Sequence, residues 1–143
     1  KCEFIAATIP VHPVVLKLLY DIKGAYGIIL ISDSTSAAGM PEGDYSFKGE
    51  SVFVRDGAVR LHDGTLAGST LALDKALKNF ITATGRPLPE LIPCSSTNAA
   101  AAIALGNSKG RVAAGFDADL ILVDADLNVK MTMVSGNVVY SEI

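Results

Sequence analysis

The fold is decided by the stretch YGIILIS, Tyr26–Ser32, which is followed at once by Asp33. A short, continuous apolar run of this kind is typical of a strand that lies in a parallel sheet and is covered on both faces. The residues before it predict another strand, Cys2–Thr8, and a helix, Pro13–Ile22. Five apolar residues of that helix recur at helical spacing: Val14, Val15, Leu18, Leu19 and Ile22. Strand, helix and strand in this order form a βαβ unit, so we predict an α/β fold with parallel strands.

The segments after Asp33 predict a hairpin and then two helices. The turn Asp56-Gly57 lies between the runs Ser51–Val54 and Ala58–Leu61, which is a strong hairpin pattern. Ser69 or Thr70 is expected to cap the first helix. Its predicted apolar face carries Leu73, Ala76, Leu77, Phe80 and Ile81. The second helix is expected to open at Thr97 or Asn98 and to end at Gly106 in a left-handed conformation.

The C-terminal part of the chain changes character. Three short runs, Leu120–Val123, Val129–Val134 and Asn137–Tyr140, are separated by turn residues and predict strands. They indicate a small β unit that is distinct from the α/β part.

Composition excludes several classes of function. The net charge is −3 and no cluster of Lys and Arg is present, so we expect neither a nucleic-acid partner nor a membrane partner. No apolar run reaches the roughly 18 residues that a membrane helix needs. The cysteines, Cys2 and Cys94, match no metal-ligand spacing and are expected to be buried thiols in a reducing cytosol. The first residues look like the interior of a strand and no Met precedes them, so we expect a piece of a longer protein.

Asp33 is the first candidate for chemistry, because catalytic groups gather at the carboxyl ends of parallel strands. Hydroxyl-bearing neighbours surround it, and Ala37-Ala38-Gly39 leaves room for a ligand. A carboxylate here could take a proton from a water and pass it to a leaving amine. The alternative is an Asp that caps the turn after a strand, and spacing alone leaves both open.

A second candidate is the loop GTLAGS, Gly64–Ser69. Its glycines would let backbone groups approach a polar ligand, and a helix beginning just after it would favour an anion or a hydroxyl. The alternative is a plain turn before a helix. The two histidines, His12 and His62, cannot form a metal site alone; His12 could line a pocket, and His62 is expected to be exposed.

Four stretches together resemble one known family. KGRVAAGFDADL, residues 109–120, is similar to the C-terminal signature of the amidohydrolase superfamily. Residues 32–45 and 63–69 resemble the end of barrel strand eight and the sugar-contacting loop of N-acetylglucosamine-6-phosphate deacetylases. Ser96–Ala100 is similar to a helix start of the same family, which usually reads Asn-Pro-Ala.

The resemblance implies the C-terminal part of a metal-dependent-hydrolase (β/α)8 TIM barrel plus part of a small β-sandwich domain. Residues 1–108 would be the last barrel strands and helices, with a β-hairpin insertion near residues 44–62, and residues 109–143 would be strands of the sandwich. The implied activity is hydrolytic deacetylation of N-acetylglucosamine 6-phosphate to glucosamine 6-phosphate and acetate.

The resemblance also assigns roles to residues. Asp33 matches the catalytic aspartate, which acts as general base and then general acid, and Leu66, Ala67 and Gly68 match a substrate-contacting segment. The family's metal ligands, a Glu and two His, lie on earlier barrel strands, so we assign no metal ligand here and expect this chain alone to be inactive. The complete enzyme is expected to use a divalent metal, zinc or iron, on an amino-sugar phosphate, as a cytoplasmic homodimer.

One position departs from the family pattern. Where the family usually has Asp-Gly-Ile-His-Val-His-Pro, this chain has Pro10 in place of the first His, which contacts the substrate. Proline has neither an imidazole nor a backbone N–H. Two alternatives to the implied activity therefore stay open: a deacetylase of a related sugar such as N-acetylgalactosamine 6-phosphate, and an inactive fragment that lacks the metal-binding half.

Overall fold

The computed structural model of the chain describes residues 1–7 and 11–143. Its helices are α1 (Pro13–Lys23), α2 (Leu73–Thr84), α3 (Leu88–Ser95) and α4 (Thr97–Ala102), and a short 3-10 helix covers Ala25–Gly27. Its strands are β1 (Cys2–Ile5), β2 (Ile28–Ile31), β3 (Gly43–Phe47), β4 (Glu50–Arg55), β5 (Ala58–Leu61), β6 (Leu66–Ser69), β7 (Leu120–Val123), β8 (Val129–Val134) and β9 (Asn137–Ser141).

The predicted βαβ unit is confirmed. β1 and β2 pair in parallel, with Cys2 opposite Ile28 and Ile5 opposite Ile31, and α1 connects them. The three residues Ile28, Ile29 and Leu30 are buried, as expected for a strand that is covered on both faces. The first strand ends at Ile5, and the described residues Ala6 and Ala7 are not part of it, so it is shorter than predicted; the predicted end, Thr8, lies outside the described residues.

The main core lies between the β1–β2 pair and helices α1, α2 and α3. Phe80 of α2 is fully buried at its centre, and the rings of Phe4 and Tyr20 meet it edge-on with centroids 5.2 Å and 6.0 Å away. Edge-to-face packing of this kind adds to the free energy gained from burying the rings. The predicted apolar face of α2 is buried at Ala76, Leu77 and Phe80, whereas Leu73 at its first turn is exposed.

The predicted cap of α2 is wrong. The helix begins at Leu73, and its N-cap residue Ala72 makes no side-chain capping bond. Ser69 lies instead in strand β6, and its hydroxyl bonds to backbone groups of Ser32 and Leu71. Local sequence favours Ser69 as the N-cap of α2, but the pairing of β6 in the tertiary structure places Ser69 in a strand instead.

A four-stranded antiparallel sheet in the order β3-β4-β5-β6 stands where a single hairpin is predicted. The predicted hairpin is its central pair, with Val54 opposite Val59. β3 alternates polar and apolar residues weakly, and β6 contains a glycine, so neither has a strong strand pattern. The sheet has its own small core of Ala37, Val52, Val54 and Val59.

The helices after α2 also differ from prediction. α3 is missed by the sequence pattern because Pro89 and Pro93 interrupt it, although Pro89 lies in the first turn, where proline is tolerated. The last predicted helix ends at Ala102, and the left-handed residue that follows it is Ala104 (φ 62°), not Gly106. Gly106 instead permits close approach, because a Cβ there would lie 3.3 Å from Cα of Ala101.

The three C-terminal strands are confirmed as an antiparallel sheet in the order β7-β8-β9. The segment that leads into it is held by Lys109, whose Nζ lies 2.8 Å from Oδ2 of Asp117 and also bonds Asp119. Asp119 in turn accepts the backbone N–H of Ser135 at 2.8 Å. Within residues 1–7 and 11–143, no helix combines the length and the apolar character needed to cross a membrane.

Candidate active site

Asp33 lies two residues beyond the carboxyl end of β2, where the sequence places it. Its side chain is exposed and its backbone is left-handed, with φ 49°. Asp tolerates this conformation better than most residues, but it still needs support from its surroundings. The carboxylate therefore stands on a sharp turn at the edge of the parallel strands.

Strand β6 supplies that support. The backbone N–H of Ser69 donates to the Asp33 carbonyl at 3.0 Å, and the Ser69 carbonyl accepts the N–H of Thr35 at 2.9 Å. Ser34 and Ser69 form a parallel bridge. The predicted loop at residues 64–69 is thus a strand over its last four residues, and its end is fastened beside the turn of Asp33.

A small cleft brings together Asp33 and two of the three predicted substrate-contacting residues, Leu66 and Gly68. It is lined by Ile5, Ala7, Asp33, Gly57, Ala58, Leu66, Gly68 and Ser69. Ala67, which points to the opposite face of the strand, packs against the small core of the four-stranded sheet. The cleft measures about 20 Å³, whereas small-molecule pockets usually span about 300–1,000 Å³. It is therefore too small to hold a whole small-molecule ligand by itself.

A larger cavity lies elsewhere among the described residues. A groove of about 390 Å³ runs between α2, α3 and the start of the C-terminal sheet, and it contains none of the predicted site residues. Its rim carboxylates Asp117 and Asp119 are engaged by Lys109, which lowers the pKa of Asp119. We place the candidate site at Asp33 because its carboxylate is exposed and lies where parallel strands end.

The histidines and cysteines have structural contacts. His12 caps α1, where its Nδ1 accepts the N–H of Val14 at 3.3 Å, and His62 is exposed, as predicted, with Nε2 3.0 Å from Oγ of Ser51. Cys94 is buried, which raises the pKa of its thiol to about 11, and its thiol donates to the Ala25 carbonyl. Cys2, the first residue of β1, is only half-buried, against expectation.

The described residues do not fit a metal by themselves. In this part of the chain, no three His, Cys, Asp or Glu side chains come close enough together to hold one. A catalytic metal site needs about three protein ligands with an open position, and Asp33 could supply only one carboxylate.

Sequence reasoning included Ser69 in a candidate loop and Thr35 among the hydroxyl-bearing neighbours of Asp33, but it missed that these two residues support the turn of Asp33. Ser69 and Thr35 are both buried, and both hydrogen-bond around the turn of Asp33. This supporting role gives no local signal, because the contacts join residues far apart in the chain. The hydroxyl-rich stretch Ser32–Ser36 is the only hint that polar side chains are used here.

Similarity to known proteins identifies the family of this chain. The amidohydrolase family profile matches residues 28–139. The chain belongs to the amidohydrolase family. Its fold is accordingly that of part of the family's TIM barrel with part of its β domain, as predicted, and the family consists of metal-dependent hydrolases.

Several relatives match along nearly the whole chain. An N-acetylglucosamine-6-phosphate deacetylase from Lysinibacillus sphaericus is 41% identical, over 96% of this chain and 35% of its own length. An N-acetylgalactosamine-6-phosphate deacetylase from Escherichia coli O157:H7 is 35% identical, over 94% of this chain and 35% of its own length. The crystal structure of an N-acetylglucosamine-6-phosphate deacetylase from Thermotoga maritima matches with a TM-score of 0.92 and 44% identity, over 99% of this chain and 39% of that chain. This chain thus spans about a third of the length of such relatives.

Proposed function

We propose that this chain forms part of an enzyme that hydrolyses N-acetylglucosamine 6-phosphate to glucosamine 6-phosphate and acetate. The observation that carries the proposal is the match of almost the whole chain to deacetylases of this sugar phosphate, including 44% identity to the Thermotoga maritima structure. The proposal is also supported by the exposed Asp33 carboxylate, which lies in the same cleft as Leu66 and Gly68 and could act as the acid–base group of the reaction.

Asp33 handles the protons of the reaction. As water attacks the acetyl carbon, the carboxylate accepts a proton from it. When the C–N bond breaks, the same group returns that proton to the departing amine nitrogen. One exposed carboxylate on a fixed turn can serve both steps, because base and acid act on the same face of the substrate.

The segment Leu66, Ala67 and Gly68 contacts the sugar through its cleft-facing side. Leu66 offers an apolar surface and Gly68 a bare backbone, whereas Ala67 contributes only backbone groups, since its side chain packs into the core. The remaining walls of the sugar-phosphate site come from other parts of the complete enzyme, because the cleft formed here is far too small for the whole substrate.

The domain division and the assembly are part of the proposal. Residues 1–108 belong to the barrel, with a β insertion near residues 44–62, and residues 109–143 belong to the β domain. A divalent metal, zinc or iron, activates the water when bound, and its ligands lie mainly outside the described residues. The complete enzyme is a cytoplasmic homodimer.

One observation favours a second sugar. A relative named for N-acetylgalactosamine 6-phosphate matches 94% of the chain at 35% identity. Pro10, which stands where the family pattern has a substrate-contacting His, lies outside the described residues. The two sugars are epimers at carbon 4, so the quantity to measure is the preference of the enzyme for one epimer over the other.

The test is an assay of the complete enzyme on both N-acetylated sugar 6-phosphates, with acetate and free amine measured in the same reaction. We expect equimolar acetate and amine, and a higher kcat/KM for the glucosamine sugar. N-acetylglucosamine without the phosphate is the matched control and should be a poor substrate. Release of acetate from neither sugar phosphate would sink the proposal, and a preference for the galactosamine sugar would favour the second candidate.

A further inference from the structure

We infer that Ser69 is a positioning residue that holds Asp33 in its working geometry. The inference rests on the proposed function, since Asp33 is the group that is positioned. Ser69 is 6% exposed, whereas Asp33 is exposed at the cleft. Ser69 hydrogen-bonds to the backbone before and after the Asp33 side chain. These bonds can fix the direction in which the carboxylate points.

The backbone of Ser69 brackets the turn. Its N–H donates to the Asp33 carbonyl at 3.0 Å, and its carbonyl accepts the N–H of Thr35 at 2.9 Å. These bonds hold Asp33 itself, whose backbone is left-handed with φ 49°, and Thr35, two residues after it. A strained conformation of this kind persists only where its surroundings impose it.

The side chain of Ser69 makes further hydrogen bonds to the backbone near Asp33. Its hydroxyl donates to the carbonyl of Ser32 at 2.6 Å and accepts the N–H of Leu71 at 3.2 Å. Ser34 on the other side of Asp33 donates its own hydroxyl to the Leu71 carbonyl. The turn of Asp33 is thus tied to the segment from Ser69 to Leu71 before and after the carboxylate.

Gly68 allows this fit. A Cβ at position 68 would lie 2.6 Å from Cγ2 of Thr35 and 3.4 Å from the Asp33 carbonyl oxygen. The absence of a side chain at Gly68 is therefore explained by the seating of β6 against the turn, independently of any contact with a sugar. Strand β6 therefore supports the turn of Asp33, in addition to its proposed contact with the substrate.

Replacing the Ser69 hydroxyl should loosen Asp33 and leave sugar binding almost intact. The Ser69→Ala variant keeps both backbone bonds but frees the Ser32 carbonyl. Because a misplacement of about 1 Å can cost about 10²-fold in rate, we expect kcat to fall about 10- to 100-fold. KM should stay within about twofold, since the loss falls on the chemical step.

A double-mutant cycle in the complete enzyme separates positioning from general structure. Ser69→Ala is measured in the wild-type background and in an Asp33→Asn background, with kcat, KM and thermal midpoint taken on the same preparations. If Ser69 acts through Asp33, the variant should have little further effect on the residual kcat of Asp33→Asn. If it acts only through the fold, it should lower kcat by the same factor in both backgrounds.

Thr84 offers a matched control. Its buried hydroxyl donates to the Phe80 carbonyl at 2.7 Å and accepts an N–H two residues along, from Arg86, at 3.4 Å, which is the same pattern as at Ser69. It lies at the end of α2, away from the cleft. Thr84→Val should lower the thermal midpoint and leave kcat unchanged in both backgrounds.

Each outcome bears on one claim. A large loss from Asp33→Asn, with a Ser69→Ala loss confined to the Asp33 background, supports both claims. A large loss from Asp33→Asn with equal or absent Ser69→Ala effects overturns positioning and leaves the proposed function standing. A near-normal Asp33→Asn removes the catalytic role and the positioning role with it. Should Ser69→Ala fail to fold, Ser69→Cys serves in the same cycle, because it leaves no cavity and replaces the hydroxyl with a much weaker hydrogen-bonding group.

Discussion

Gly68 and Thr35 are in closer contact than a side chain at position 68 would allow, since a Cβ there would lie 2.6 Å from Cγ2 of Thr35. Gly68 also has φ +149°, a conformation that side chains rarely adopt. We therefore expect Gly68→Ala to lower the free energy of unfolding by about 2–4 kcal/mol, from strain and overpacking together. Urea denaturation measures it.

Gly64→Ala is the control for that substitution. Gly64 has φ +91°, but nothing lies within 4 Å of a Cβ built there, so its replacement costs strain without a clash. Adding Thr35→Ser, which removes Cγ2 and keeps the hydroxyl, should recover part of the loss from Gly68→Ala only. An equal loss at the two glycines, with no recovery, would show that the close contact carries no energy.

Asp33→Asn in the complete enzyme should reduce kcat far more than it changes KM. Asparagine keeps the shape of the side chain but cannot accept the proton of the attacking water. General acid–base groups contribute about 10²–10⁴-fold, so a loss of that size is expected in the chemical step. Steady-state kinetics and a thermal midpoint on one preparation provide the measurement.

The competing interpretation of Asp33 predicts a different result. If Asp33 only terminates the turn after β2, the variant should be less stable and have near-normal kcat in the molecules that stay folded. A kcat within about threefold of wild type, below the range of proton-transfer catalysis, would remove Asp33 from the mechanism.

The isolated chain should show no deacetylase turnover and bind no catalytic metal tightly. With residues 8–10 left aside, no three potential ligands come together, and a catalytic zinc site needs about three. Metal analysis of the purified chain, together with an acetate-release assay, checks this. Stoichiometric zinc or iron accompanied by turnover would contradict it.

Asn98→Ala should destabilise the chain by about 2–4 kcal/mol, because it removes two hydrogen bonds, one of them to the buried Ile28 carbonyl, and leaves the Ala25 carbonyl with only the weak thiol donor of Cys94. The Asn98 side chain is 1% exposed, and its Nδ2 donates to Ala25 and Ile28 carbonyls at 2.7 Å each. It thereby ties α4 to the start of β2. Asn137→Ala, at an exposed side chain with one bond of 3.4 Å, is the control and should change stability by less than about 0.5 kcal/mol. Similar losses at both positions would refute the role of Asn98.

Alkaline pH should destabilise the fold through Cys94. Burial raises the pKa of this thiol from 9.0 to about 11 in the folded chain. Between these values the folded state holds a proton that the unfolded state has lost, so the free energy of unfolding falls as pH rises through this window. Cys94→Ala should be less stable at neutral pH but lose less between pH 9 and 11. Parallel loss in both proteins would show that other groups dominate.

The local sequence pattern was enough to predict the helices and strands whose apolar residues are periodic and whose ends are marked by clear turn residues. The apolar run before Asp33, the helix that begins at Pro13, the Asp56-Gly57 hairpin and the three C-terminal strands all occur where they are predicted. The apolar face predicted for that helix is wrong, because its buried residues are Leu16 and Tyr20, whereas Val14, Val15, Leu18 and Ile22 are exposed. Each is specified by residues that are neighbours in the chain, through side-chain spacing and turn chemistry. The position of Asp33 follows from the strand before it in the same way.

Only the tertiary structure decided what surrounds Asp33. Leu66–Ser69 has a weak strand pattern, and Ser69 looks locally like a helix cap. Ser69 nevertheless bonds to Ser32, from which it is separated by 37 positions in the chain, and to Asp33 beside it. The cleft and the support of its carboxylate exist because two distant segments meet, with Gly68 small enough to let them touch. Hydrogen bonds between such segments depend on how the chain packs as a whole, and no local spacing encodes them.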